Sequence, residues 1–595
     1  EFWPDVAQSG WIGGKSEAWE RVPYWLDGFI PLAYQLDDPV LKKKAFRYVD
    51  HILRHQQPDG WLGPTNSPPP SGVLGAQPPQ TRDPWPQFVI LKALAQYAEA
   101  TGDERVLPAM RKDLGILSLQ LDSRPLFAWN FFRWCDLLVP IAWVQERDPN
   151  PAWIQLAYKA AKQGYNWPAH FKDLPAKDRL PQWDWQGHVV NNAMGLKTNA
   201  LLHLFTGDPR FRRSGVETLS QLDRYHGQVN GLFTGDECLA GKNPSQGTEL
   251  CAVVEMMFSL ETALSVLGEA ADADRLEKVA FNALPGTFSP DYWTHQYVQQ
   301  ANQVVCAWME RPIFASVEGE ANLFGLEPHF GCCTANMHQG WPKFTSHLWM
   351  ATPDGGLAAV AYAPSRVKAK LPVGEVEVEL VTEYPFRGKL EFKVHCQKPM
   401  EFPLVVRIPA WAKGATLTFP AGGSERPKAG TFHRVVRTWS EGEVLTLELP
   451  MGFSTQRGYN GSISLQRGPL VLSLGIKEDW KPFKPFKFPT KDKARFDHQV
   501  IPNSPWNYAL VLDRKDPDRS VRTLEGPLGA NPFTREGTPL KVVVKGRRLE
   551  GWRIAQGAAE PPPKSPVKSE APLEDLVFVP YGSARLRVTE FPLLK

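Results

Sequence analysis

A chain of 595 residues exceeds one ordinary hydrophobic core and calls for about two to four domains. Its 43% hydrophobic and 22% charged residues are globular values, which exclude disorder as the default. A net charge of +3, without Lys/Arg runs interleaved with aromatics, excludes a nucleic-acid surface, and no apolar run reads as long enough to span a membrane.

In chain order, residues 16–36 and 38–56 carry apolar side chains at helical spacing, and the pair closes at Gln57-Pro58-Asp59-Gly60. Further pairs are predicted over 84–100 and 104–120, 129–146 and 151–170, 188–205 and 208–224, and 248–268 and 271–284, with a last helix beginning near Cys333. The turns Thr101-Gly102-Asp103 and Thr206-Gly207-Asp208 repeat one form, Gly closing one helix and Asp opening the next. Repeated helical hairpins predict an (α/α)6 toroid over residues 1–355, with a site assembled from the loops at one mouth.

Past Pro353-Asp354-Gly355-Gly356 the periodicity changes to alternation, in segments such as 376–381, 390–394, 402–408 and 444–449. Short Gly and Pro turns predict a β-sandwich over 356–460, followed by a second β-rich portion over 461–595. The latter includes a Pro-, Lys- and Phe-rich stretch around 481–491 and an extended Pro-rich loop over 558–571. The fold class is therefore α+β multidomain: a helical toroid followed by β-sandwich domains.

Seven cysteines show no disulfide spacing. Adjacent Cys332 and Cys333, with Glu249 and Cys251 of Gly247-Thr248-Glu249-Leu250-Cys251, form a ligand set suited to a soft-to-borderline metal, zinc first. The alternative from residues alone is a vicinal disulfide or packed buried thiols. The candidate mouth loops carry Trp183-Asp184-Trp185-Gln186-Gly187-His188, Tyr225-His226-Gly227, Thr234-Gly235-Asp236-Glu237 and His295-Gln296-Tyr297. Such aromatic, His and acidic residues are the ingredients of a carbohydrate pocket, as are 22 Trp, 31 Phe and 14 Tyr, although large cores also use Trp. Because the chain opens at Glu1-Phe2-Trp3, the expectation is a secreted or periplasmic protein whose signal peptide is absent from this chain, with a cytoplasmic location left open.

Taken together, the Glu-X-Cys and Cys-Cys motifs and the Gly187-His188 helix start resemble glycoside hydrolase family 127 and its relatives, the β-L-arabinofuranosidase clan. The resemblance implies Zn2+ on Glu249, Cys251, Cys332 and Cys333, with Cys332 as the nucleophile of a retaining mechanism. It places the general acid/base on Glu237, with Asp236 beside it as the other candidate, and sugar contacts on His188, His226, Tyr297 and Trp185. Glu237 would have to hold a proton until the leaving group departs. The implied substrate is a glycan bearing β-L-arabinofuranose or a related L-sugar. Relatives also imply aceric acid of rhamnogalacturonan II, for which Lys197, Arg82 or Arg21 would supply a cation. Two other classes stay open: a non-catalytic carbohydrate-binding protein with a structural zinc site, and a uronic-acid lyase or unsaturated-glucuronyl hydrolase on a similar toroid.

Overall fold

The computed structural model describes residues 3–66, 82–315, 319–486 and 495–595. Six helices of its N-terminal part touch in a closed cycle: Arg21–Gln35, Pro84–Thr101, Cys135–Arg147, Val189–Gly195, Leu250–Leu267 and Gly340–Ser346, which returns to Arg21–Gln35. Outside them lie Pro39–Arg54, Val106–Ser123, Pro151–Gln163 and Ala270–Lys278, each against its sequence neighbour in the cycle. Burial follows position. Pro39–Arg54 buries one stripe, Ala45, Tyr48, Val49 and Ile52, whereas Leu250–Leu267 is buried over most of its circumference. That helix is apolar and long enough to cross a membrane by length and composition, which corrects the expectation that no such run exists. Here it is one of the six helices of the cycle, and its apolar window is 78% buried inside the protein.

In the two repeated turns Gly102 and Gly207 take φ of +69° and +66° as predicted, and Asp103 and Asp208 accept from the backbone N–H two residues on. The helix after Asp103, however, starts at Val106, and Asp208 opens only the short turn Pro209–Phe211, the 208–224 run restarting as Gly215–Tyr225 under a Ser214 cap. Several predicted long helices are instead broken. The 151–170 run stops at Gly164, where a Cβ would stand 2.0 Å from the Trp134 indole, and restarts at Trp167 under an Asn166 cap. The 188–205 run breaks after Gly195, which lies flat on Trp167, and the 129–146 run divides into Ala128–Phe132 and Cys135–Arg147. In each case close packing of an indole or a turn overrides the periodicity.

The β-rich part holds two facing sheets. One pairs Ser365–Leu371, Gly374–Thr382, Lys389–His395, Val444–Glu448, Thr416–Thr418 and Ser424–Glu425. The other pairs Thr431–Trp439, Met400–Ile408, Leu357–Ala359 and Trp349–Ala351, and Trp349 meets Phe392 of the first sheet edge-on at 6.0 Å. A third sheet starts with Phe453–Arg457 and runs through Ile463–Arg467, Leu470–Gly475, Leu573–Pro580, Leu540–Arg548 and Tyr508–Val511. The 481–491 stretch forms part of the strand Glu478–Pro485, and its residues 487–491 lie outside those described.

The C-terminal β-rich part grips the helical domain in two places. A separate two-stranded sheet, Glu478–Pro485 with Phe496–Pro502, pairs Val500 with Cys306 and His498 with Phe324. Near the end of the chain, Arg587 Nη2 donates to Gln299 Oε1 at 3.2 Å and Arg587 Nε to the Gln300 carbonyl at 3.1 Å. Tyr581 Oη donates to Gln299 Oε1 at 2.8 Å and Thr589 Oγ1 to the Ala301 carbonyl at 2.6 Å. The segment clamped this way carries Tyr297.

Candidate active site

Three helices of the cycle and the short helix Gly331–Asn336 present their N-terminal ends to one pocket. Glu20 and Arg21 stand at the start of Arg21–Gln35, His188 caps Val189–Gly195, Glu249 caps Leu250–Leu267, and Cys332 lies in the first turn of Gly331–Asn336. Helix N-termini favour negative charge, so they are a fitting seat for carboxylates and thiolates. Strand pairing fixes the register: Glu249 pairs with Val298, and Leu250 N donates to the Tyr297 carbonyl at 2.9 Å, bringing Tyr297 beside Glu249. His188 bridges Cys238, and Val189 N donates to the Glu237 carbonyl at 2.8 Å, which sets Glu237 opposite.

Cys333 Sγ lies 3.2 Å from Cys251 Sγ and 3.7 Å from Glu249 Oε1, and the ligating atoms of Glu249, Cys251, Cys332 and Cys333 all fall within 4.8 Å of one another. Glu249 Oε2 is buried without a hydrogen-bond partner. Three thiols and an orphaned carboxylate oxygen form a donor set that could hold a soft-to-borderline metal ion. Burial pushes the Cys251 and Cys333 thiols up, while hydrogen bonds from Cys251 and Cys333 hold Cys332 well below the usual thiol range, with Arg21 helping.

One turn behind the thiols a second contact ties the same two helices. Glu255 follows Cys251 by four residues and Asn336 follows Cys332 by four, and Glu255 Oε1 accepts from Asn336 Nδ2 at 3.1 Å and Gln339 Nε2 at 2.9 Å. The clamp sets the spacing between Cys251 and the adjacent pair.

Glu237 is held from both sides: Tyr297 Oη donates to Oε1 at 2.6 Å, and His188 Nε2 lies 3.2 Å from Oε2. Asn191 N–H occupies His188 Nδ1 at 3.3 Å, so the Nε2 position carries the proton and donates. Burial lowers the His188 pKa and raises that of Tyr297, keeping both neutral. Glu237 and His188 also lie within 4.8 Å of Glu249, so the carboxyl borders the cysteine cluster.

Of the residues singled out from sequence, Glu237, Glu249, Cys251, Cys332, His188 and Tyr297 line this pocket, and Cys333 lies fully buried beside them. The structure does not bring His226 there. Its Nε2 meets the Ala176 carbonyl at 2.9 Å and its Nδ1 accepts from Gly241 N at 2.9 Å, so both nitrogens are spent on loop backbone, correcting its reading as a sugar contact. Trp185 is placed behind the wall, stacked on Phe132 at 5.4 Å and edge-on to Trp129 at 4.8 Å; Trp129 itself faces the pocket. Asp236 is buried but does not line the pocket. Lys197 pairs with Asp136 at 3.1 Å and Arg82 with Asp59 at 2.5 Å, both elsewhere, whereas Arg21 lines the pocket, paired with Glu20. Sequence reasoning missed Glu20, Tyr24, Trp129, Arg133 and Phe330 as wall residues. The signal for Glu20 was present: Trp19-Glu20-Arg21 occupies the same loop-to-helix junction as the motifs that were singled out.

The space between these side chains, open solvent at the mouth included, is about 490 Å³. A family model described as the GH127 catalytic domain of β-L-arabinofuranosidase matches residues 14–346, and the GH127 middle-domain model matches 356–451. The chain belongs to glycoside hydrolase family 127. It is 26% identical over 502 residues to a non-reducing end β-L-arabinofuranosidase of Bifidobacterium longum subsp. longum, covering 75% of this chain and 74% of that protein. Its fold is similar to that of a GH127 β-L-arabinofuranosidase from Geobacillus stearothermophilus T6 (TM-score 0.68, 18% identity, 97% of this chain and 91% of that one). A GH127 β-arabinofuranosidase is similar to the same degree (TM-score 0.68, 14% identity, 98% and 90%).

Proposed function

We propose that this glycoside hydrolase releases terminal β-L-arabinofuranose from plant cell-wall or glycoprotein glycans with retention of configuration, Cys332 attacking and Glu237 serving as acid/base. The closed cycle of helix contacts supports reading its helical domain as an (α/α)6 ring with the site at one mouth. Glu249, Cys251, Cys332 and Cys333 would hold zinc. When bound, the metal supplies positive charge that keeps the coordinating thiols deprotonated.

The observation that carries the reading is the position of Cys332. Its thiol lines the pocket together with Glu237, while Cys333 is fully buried and off the pocket surface. In the first step Cys332 Sγ bonds to the anomeric carbon as the bond to the leaving oxygen breaks, and Glu237 passes its proton to that oxygen. The aglycone departs and leaves a thioglycoside bond on Cys332. In the second step Glu237 takes a proton from water, the water oxygen bonds to the anomeric carbon, and the sulfur leaves as thiolate. Tyr297 and His188 hold the carboxyl of Glu237 at the same place through both steps.

The test is to incubate the enzyme with an activated arabinofuranoside that deglycosylates slowly, then digest it and analyse the peptides by mass spectrometry. A pentosyl adduct on Cys332, with proton NMR of the first-formed product giving the β-anomer, is the expected result. An adduct on Cys333, or an inverted product, would sink the assignment.

A further inference from the structure

One wall of the pocket is built from residues to which the mechanism gives no task. Glu20 Oε1 accepts from Arg21 Nη1 at 2.9 Å, its Oε2 accepts from Trp85 Nε1 at 2.6 Å, and Arg133 Nη1 lies 3.7 Å from that same oxygen. The Arg133 guanidinium, whose Nε donates to Asn191 Oδ1 at 2.9 Å, lies 4.2 Å from the Trp129 ring centre. The ladder Arg21, Glu20, Arg133, Trp129 is thus satisfied in its middle and open at its ends. Arg21 Nε and Trp129 Nε1 are buried N–H donors with no partner, on side chains 4% and 6% exposed that line the pocket. A buried donor left unpaired costs about 1–3 kcal/mol and calls for an explanation. Trp153 Nε1 and Arg585 Nε are unpaired elsewhere, but Arg21 and Trp129 stand together on the wall of one pocket, where a ligand can complete both. Arg21 also abuts the catalytic helix: a Cβ on Gly331, the residue before Cys332, would stand 3.4 Å from Arg21 Nε.

We infer that Arg21 and Trp129 donate hydrogen bonds to two hydroxyl oxygens of the terminal sugar and are specificity-determining residues of this pocket. The inference rests on the pocket's being the sugar site proposed above. The charge balance points to an uncharged sugar: Arg21 is neutralised by Glu20, and a substrate carboxylate would meet Glu20, Glu237 and Glu249 on the same walls. A wall built to hydrogen-bond a hydroxyl rejects an analogue that lacks it, because the donor is again left unpaired.

The experiment compares the wild type with Arg21→Gln, Arg21→Lys and Trp129→Phe on an aryl β-L-arabinofuranoside and its 2-, 3- and 5-deoxy analogues. Trp129→Phe keeps the aromatic body and removes only the N–H. Arg21→Gln and Trp129→Phe are expected to lower kcat/KM on the parent about 10- to 100-fold. Each loss should shrink to under about 3-fold on one deoxy analogue, a different one for each variant, since the missing partner can no longer be missed. Arg21→Lys, which keeps the charge opposite Glu20, should fall between and retain the wild-type unfolding midpoint. Equal losses on the parent and on every analogue would overturn the inference, by assigning both residues to scaffold or to Cys332. If the wild type does not turn the parent over, the proposed function fails while the inference is read from calorimetric binding of L-arabinose and other free pentoses and hexoses. It then falls if no sugar binds, or if both Arg21→Gln and Trp129→Phe bind every sugar as the wild type does.

Discussion

Two buried polar clusters lie in the helical domain, and they are built on opposite principles. In the first, Lys92 pairs with Asp136 at 2.7 Å, Lys197 with Asp136 at 3.1 Å, and Lys343 with Asp27 at 2.7 Å, while the Phe258 ring lies 3.9 Å from the Lys343 amine. Burial opposes the charge on Lys92, and Asp136 and Asp27 overcome it; Asp136 is correspondingly held down at about 2 against its own burial, by Lys197 and Lys92. Each charge there is answered by another charge of the chain. The pocket instead leaves Glu249 Oε2, Arg21 Nε and Trp129 Nε1 without partners. Burial and charge density alone therefore do not distinguish a site from a scaffold; here the difference is that several unpaired groups share one pocket wall.

Removing an open group should abolish chemistry and spare the fold. Cys332→Ala is expected to lower kcat by about 10⁴-fold or more, measured on an aryl arabinofuranoside, with the thermal midpoint near that of the wild type. Removing a closed group should do the reverse. Asp136→Asn leaves Lys197 without its carboxylate and Lys92 with only Asp27, which it shares with Lys343, and is expected to cost about 3–5 kcal/mol in urea unfolding, with turnover per folded molecule little changed. A loss of turnover larger than the loss of fold would erase the distinction between the clusters.

A neutral member of the closed interior sets a pH limit. His170, bonded through Nε2 to Asn192 at 2.9 Å and through Nδ1 to Tyr165 at 3.0 Å, is pushed down to about 4 by burial. The unfolded chain therefore binds one more proton than the folded one between about pH 6.5 and about pH 4, so stability falls as the pH falls through that window. The loss from this group amounts to about 3 kcal/mol at the acid end. Urea midpoints measured from pH 7 to 4 should fall in the wild type and fall less in His170→Gln. The smallest expected effect lies at the border of the two clusters. Glu255→Leu removes the acceptor shared by Asn336 and Gln339 and should weaken zinc retention about 10-fold in competition with a chelator. Unchanged retention would leave the clamp with no part in spacing the thiols.

How much of this was legible in the sequence depends on the range of the interaction. The helical hairpins, the Gly-Asp turns and the switch to strands follow from local spacing and were readable. The breaks at Gly164 and Gly195 were not, because each is decided by an indole from a distant part of the chain, Trp134 or Trp167. In the pocket, the adjacent cysteines alone fitted packed thiols or a vicinal disulfide as well as a metal, and Glu249, Cys251, Cys332 and Cys333 became legible as one set through the family resemblance. His226 looked equivalent to His188 in sequence. What separates them is that His226 spends both nitrogens on the backbone of Ala176 and Gly241, whereas His188 keeps one for Glu237. Arg21 could be weighed only as one of several basic residues, because whether a guanidinium is fully partnered is a property of packing.

The grip of Tyr581, Arg587 and Thr589 on Gln299–Ala301 has a consequence in time. Tyr297, two residues before that grip, directs the carboxyl of Glu237, yet the residues that steady its segment are made some 280 positions later in the chain. During synthesis the cysteine helices can emerge and pack long before this support exists. Until residues 581–589 have been made, the segment that carries Tyr297 lacks this grip.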